Sequence, residues 1–189
     1  MKHFWSFDKH ISDEKSRTNL GGKNKIEWLF DKFNKSGRAV RISDETNYFE
    51  INSNLNNLNE SFIISVLIKP LSCRKNARVI DLSQPGYLKN IAISYSHERT
   101  CSPFIQLTTD SGSFTIYDNT TVLDLKKWHH LALEYELPST ISFYVNDRKF
   151  DEIVEVRSFD TSSLSANYKG FIGKSEQASD EIADLIIDE

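Results

Sequence analysis

Two runs of strict two-residue alternation, 128–135 and 141–147, constrain this chain more than any other feature. In the first, Leu131, Leu133 and Tyr135 fall on one side, and His130, Ala132 and Glu134 on the other. In the second, Ile141, Phe143 and Val145 share a side, and Ser142, Tyr144 and Asn146 share the opposite one. A period of two is the signature of a strand with one face against a core. The runs are separated by a short turn holding Pro138 and Ser139, so they read as an antiparallel hairpin. An apolar face of this kind must be buried against a second layer, and the economical layer is another sheet.

The rest of the chain reads the same way. Residues 3–8 alternate weakly and are expected to form the first strand, and residues 9–24 a polar loop. Residues 26–33 satisfy both templates: Ile26, Leu29, Phe30 and Phe33 fit a helical stripe, while Trp28 and the phenylalanines suit a strand. Strand is favoured because its surroundings are β. A turn at 34–37 leads to strands at 38–42 and 48–51, then an asparagine-rich irregular stretch at 52–59. Segment 61–69 carries Phe62, Ile64, Val66 and Ile68 on one face and Ile63 and Leu67 on the other. It is expected to be buried on both sides and to end at Pro70. Hairpins are expected for 78–83 with 90–96, around the turn 84–87, and for 104–109 with 113–118. A charged edge strand is expected at 149–156, with closing strands at 170–173 and 182–188. About a dozen short strands without a convincing long helix predict an all-β, two-sheet antiparallel sandwich over residues 1–189 as one domain.

Composition narrows the function classes. Of the 189 residues 39% are hydrophobic, enough for a core, and the net charge of −4 argues against a nucleic-acid partner, which selects a basic face. Membrane insertion is not expected, since no run of 18 apolar residues occurs. The opening residues do not resemble a signal peptide, which leaves a cytoplasmic or viral product or a domain excised from a longer secreted protein. The sequons at Asn34, Asn59 and Asn119 are what 14 asparagines in a Ser/Thr-rich chain produce by chance.

The order of segments resembles the concanavalin A-like jelly roll and, within it, the laminin-G-like domains. Phe4-Trp5-Ser6-Phe7-Asp8 is like the family's opening W-x-F-D. Ser36-Gly37-Arg38-Ala39-Val40 and Tyr48-Phe49-Glu50-Ile51 are like its next two elements, and 61–70 is like its s-f-T-i-s-x-W-v-k-P strand, with Leu67 for the tryptophan. Lys127-Trp128-His129-His130-Leu131-Ala132 and Phe143-Tyr144-Val145-Asn146-Asp147 match W-h-h-v-A and l-Y-v-N-G, with Asp147 for the glycine. Residues 170–173 and 180–185 resemble the closing f-I-G and I-D-e-v-r-i-y. The resemblance implies the fold and leaves the ligand open, because one fold hosts many functions.

Enzymes of the wider superfamily that cleave glycosidic bonds need paired carboxylates, in one branch on an E-x-D-x-x-E strand. Neither 152–155 nor 181–184 has that spacing, so a catalytic role is not expected. His129 and His130 are adjacent on a strand and point to opposite faces, so they cannot clamp one metal ion. The resemblance implies a Ca²⁺ ion near the last strand, with Asp184 in the matching place and Asp8 as a second contributor. Sugar recognition wants an aromatic platform beside hydrogen-bonding groups, and the face with His130, Glu134, Tyr144 and Asn146 offers both. Loop tips at 52–59 and 97–103 are the other candidate surface.

Cys73 and Cys101 give a further expectation. If strands 78–83 and 90–96 pair around residue 87, opposed residues have indices summing to about 174, and the two cysteines sum to 174. A disulfide there would stabilise by roughly 3 kcal/mol and favour an oxidising compartment. The expectation is a non-catalytic recognition or adhesion domain, outside the cell or at its surface, within a larger protein or assembly. It would bind a glycan or an extracellular protein ligand. The alternatives are a carbohydrate-active enzyme or its accessory module, and a structural virion or fibre subunit.

Overall fold

In the computed structural model, residues 20–22, 26–44, 47–51, 61–84, 89–109, 112–117, 120–137, 140–153, 169–175 and 177–188 are described below. They form fourteen strands. In chain order these are β1 Leu20–Gly22, β2 Trp28–Phe30, β3 Ser36–Ile42, β4 Phe49–Ile51, β5 Phe62–Pro70, β6 Arg78–Ser83 and β7 Asn90–Ser94. They continue as β8 Phe104–Thr109, β9 Gly112–Tyr117, β10 His129–Glu136, β11 Thr140–Val145, β12 Arg148–Ile153, β13 Lys169–Ile172 and β14 Leu185–Asp188. Sheet I has the order β1-β4-β13-β6-β7-β8-β9 and sheet II the order β12-β11-β10-β5-β14-β3-β2, each antiparallel. This is the two-sheet antiparallel sandwich that the alternation predicts. The expected strand at 3–8 lies outside the described residues, as do 52–59, 85–87, the Pro138–Ser139 turn and 154–156.

The hairpin that anchored the reading is β10–β11, registered as Leu131↔Val145, Leu133↔Phe143 and Tyr135↔Ile141. All six residues are buried in the core between the sheets. Sheet I supplies Phe49, Leu82, Ile91, Ile93, Ile105, Leu107 and Ile172 to the same cluster. Burying a Leu, Ile or Phe side chain contributes about 1.5–3 kcal/mol, so this interlayer contact is the main source of stability.

Several expectations need correction. The stretch 26–33 is strand only over Trp28–Phe30; Asp31 then ends it, its Oδ1 accepting hydrogen bonds from the backbone N–H groups of Phe33 and Lys35. Local side-chain acceptors of this kind compete with the ladder and start a turn. Residues 20–22, read as loop, pair with β4. Segment 61–69 is not buried on both sides: Ile63 is 66% exposed. The β6–β7 indices sum to 173, falling to 172 at Arg78↔Ser94 beyond a register shift. The cysteines are nonetheless joined, with Cα atoms 4.9 Å apart. They bond past the end of the ladder, where the chain leaves strand geometry and Asn76, Glu98, Arg99 and Cys101 take positive φ. The expected edge strand is present as β12, at the margin of sheet II.

Candidate functional site

Strand alternation turns a second set of side chains outward from each sheet, and the two outer faces differ. On sheet I, register aligns Asp81 with Ala92 and Gln106, and Ser83 with Asn90 and Thr108. Most of these polar groups are inaccessible, with Asp81, Ser83, Asn90 and Ser94 at 0% exposure. Asp81, Ser83, Ser94 and Arg78 are spent on one another and on Gln106, Ser175 and Asp180. Asp81 accepts from the hydroxyls of Ser83 and Ser175. Arg78 donates from Nε to Asp180 at 2.9 Å, from Nη1 to Ser94 at 3.0 Å and from Nη2 to Gln106 at 2.6 Å, and its guanidinium lies 5.1 Å from the Phe104 ring centre. Buried polar groups must be paired in this way, because an unpaired one loses its hydration without return.

The outer face of sheet II is more open: Ile63 and Ser65 are exposed and His130, Glu134 and Tyr144 half-buried, while Ala132 and Ser142 are covered. Register aligns Tyr144, Ala132 and Ser65 in one row, Ser142, Glu134 and Ile63 in the next, and His130 with Leu67. Tyr144 donates its hydroxyl proton to Glu134 Oε2 at 2.7 Å. That bond to a carboxylate raises the Tyr144 pKa, so the phenol stays protonated and its ring is fixed. Ala132 and Ser65 are small, which leaves a shallow lane beside the ring.

At one end of the lane, a two-residue turn joins Val145 to Arg148 with positive φ at Asn146 (51°) and Asp147 (63°). This is the twist a tight hairpin demands, and Asn and Asp tolerate it best after glycine. The Asn146 side chain bridges both histidines: its Oδ1 accepts from the His130 backbone N–H at 3.0 Å and its Nδ2 donates to His129 Nδ1 at 3.2 Å. His129 Nε2 then donates to the Asp124 carbonyl at 3.0 Å, which fixes a buried ring at the core margin. His130 points outward, with Nδ1 2.9 Å from Asp147 Oδ1 and Nε2 2.7 Å from Ser65 Oγ. The sequence-predicted residues His130, Glu134, Tyr144 and Asn146 therefore share one face, although the Asn146 amide is engaged at both ends. Ser65 and Asp147 were missed as members; the sequence signal was Asp147 standing where glycine is cheaper.

Asp184 lies elsewhere, beyond the end of the β6–β7 hairpin. Ser72 donates to its Oδ2 at 2.6 Å, and Arg41 and Arg74 stand 3.9 Å from its two oxygens. Its backbone N–H donates to the Tyr95 hydroxyl at 3.0 Å. Asp8, the other expected calcium ligand, lies outside the described residues. Ca²⁺ takes six to eight oxygens. Asp184 Oδ1 is buried without a hydrogen-bond partner, and the two guanidinium groups 3.9 Å from the carboxylate would compete with a cation for it. Among the described residues, no group of three or more His, Cys, Asp or Glu side chains gathers into a metal site. The 97–103 loop is tied down: Arg99 pairs with Glu181, Lys75 with Glu98, and His97 stacks on Tyr117 at 5.0 Å.

Comparison with known proteins agrees with this architecture. Domain 4 of the GH43 extracellular arabinanase AbnA of Geobacillus stearothermophilus, solved with arabinotriose, superposes with a TM-score of 0.75 at 16% identity, covering 98% of this chain and 90% of that one. The binding domain of Paraclostridial Mosquitocidal Protein 1 gives 0.70 at 15% identity, over 95% of this chain and 44% of that one. Mouse laminin α1 domains LG4–5 give 0.59 at 9% identity, over 75% of this chain and 38% of that one. The chain thus spans less than half the length of the last two. No curated protein matches it by sequence. The family model Laminin_G_3, of the concanavalin A-like lectin/glucanases superfamily, matches residues 43–189. With that match over most of its length and the sandwich it requires, the chain belongs to the laminin-G-like family of the concanavalin A-like superfamily.

Proposed function

We propose that the chain is a recognition module that binds a glycan on the open outer face of sheet II, as part of a larger protein outside the cell. The observation that carries this is the Tyr144 ring, held by Glu134 beside the small residues Ala132 and Ser65. A sugar ring stacks its C–H face on such a phenol while its hydroxyls reach Glu134, His130 and Ser65. The arabinotriose complex of the arabinanase domain supports a saccharide as the ligand class. The disulfide supports an oxidising compartment. The sheet II face does not require calcium in this reading.

A glycan array that includes arabinan fragments, run with and without a chelator, tests it. The expected result is binding that survives chelation and is lost in Tyr144→Ala. Binding that persists unchanged in Tyr144→Ala and Glu134→Gln would move the ligand to another surface. Silence on the array, with a protein captured instead, would replace the glycan reading by a protein ligand.

A further inference from the structure

We propose that Ser65, His130 and Asp147 form an acyl-accepting serine on the outer face of sheet II, suited to small esters such as O-acetyl groups. The three side chains stand in the order nucleophile, base and orienter: Ser65 Oγ is 2.7 Å from His130 Nε2, and His130 Nδ1 is 2.9 Å from Asp147 Oδ1. Asp147 is a carboxylate and only accepts, so Nδ1 carries the ring proton and Nε2 presents its lone pair to the Ser65 hydroxyl. That is the tautomer a general base needs.

The fold dictates the alignment. Register places Ser65 opposite Ala132, with His130 one same-face position along β10. The Asn146–Asp147 turn folds its second residue back over that ring, and Asn146 holds the His130 backbone in place. Asp147 occupies a left-handed conformation that glycine adopts at lower cost. A bare turn therefore gains nothing from the aspartate, while an oriented imidazole does. Ser65 is exposed, its cross-strand neighbour Ala132 adds only a methyl group beside it, and Tyr144 stands next in the same row.

In the reaction, Ser65 Oγ forms a bond to the ester carbonyl carbon and its proton passes to His130 Nε2. The carbon–alkoxy bond then breaks, and the imidazolium returns the proton to the departing alcohol, leaving an acetyl-serine. Water attacks that ester with His130 again as base, releasing acetate and restoring the serine. Ser65 is exposed and His130 retains 30% side-chain exposure, so the tetrahedral oxyanion is solvated rather than held by fixed donors. The expected signature is stoichiometric acetylation followed by slow release.

The test treats the protein with p-nitrophenyl acetate and follows nitrophenolate release together with intact mass and peptide mapping. One acetyl group at Ser65 is expected, absent in Ser65→Ala. His130→Gln should slow acetylation by about 100-fold. Asp147 is a positioning residue: Asp147→Ala should slow the reaction and let the His130 ring pass to its Nε2–H tautomer, visible in nitrogen-15 spectra, and Asp147→Glu should restore both. Label spread over lysines, an unlabelled Ser65, or equal rates in His130→Gln and the native protein would overturn the proposal. The reading out of a covalent serine does not depend on glycan binding, so the array and this assay fail independently.

Discussion

The outer faces of the two sheets carry polar residues in similar number and use them in opposite ways. On sheet I, Arg78, Asp81, Ser83 and Ser94 are buried and hydrogen-bonded among themselves, Asp180 and Ser175. On sheet II, Glu134 and Ser65 make one bond each and keep acceptor capacity toward water, and the two ring nitrogens of His130 are held by the exposed side chains of Ser65 and Asp147. Polarity alone is therefore a poor guide to a binding surface. A closed network contributes rigidity, and its members have little left for a ligand. An open one exchanges water for ligand at small cost to the fold.

The contrast is sharpest at Arg78, whose side chain and that of its partner Asp180 are 2% and 1% exposed. Arg78→Met should cost about 3–5 kcal/mol in denaturant unfolding, because Asp180 is left as a buried, unpaired charge. Glycan binding by the folded fraction should be unchanged. The double change Arg78→Met with Asp180→Leu should recover much of the loss; if it does not, the network is more than an ion pair. Next in size is the Cys73–Cys101 bridge, whose 28-residue separation gives about 3 kcal/mol of chain-entropy stabilisation. Unfolding of Cys73→Ala/Cys101→Ala against the native protein measures it, and equal midpoints would refute it.

Tyr95 comes third. Burial pushes its pKa up to about 12 from an ordinary 10. The folded protein then holds a proton that the unfolded chain releases, so stability is intact below pH 10 and falls as pH rises toward 12. Tyr95→Phe should flatten that decline in a melting series, while costing about 1 kcal/mol at neutral pH for the lost Asp184 N–H partner. Smallest on stability is Tyr144→Ala on the open face, under about 1 kcal/mol, yet it should abolish ligand binding. If Tyr144→Ala instead unfolds the protein, the distinction between the two faces fails.

These differences bear on what a sequence discloses. The β10–β11 hairpin was legible because alternation reports a one-sided environment directly, and Leu131, Leu133 and Phe143 all lie in the core. The cysteine pair was legible because an antiparallel ladder makes index sums constant, and the true sum of 173 near the strands is close enough. Ile63 misled because an apolar side chain on a strand's second face does not say whether that face is covered, and Ile63 lies on the outer face of sheet II at 66% exposure. The Arg78 and Asp81 networks were hidden because their partners Asp180 and Ser175 lie 102 and 94 residues away. Tyr144 and Glu134 were readable as face-mates, whereas Ser65 and Asp147 become neighbours of His130 only once strand register and turn type are both known.

The bridge between Cys73 and Cys101 encircles the whole β6–β7 hairpin, so the central strand of sheet I and its neighbour belong to a covalent ring. A protease cut at any bond between the two cysteines would open that ring without releasing either fragment. Such a nicked molecule would migrate as intact chain under non-reducing conditions and separate into two pieces only after thiol treatment. The chain could thus carry internal scission and still present the outer face of sheet II, whose strands lie entirely outside the ring.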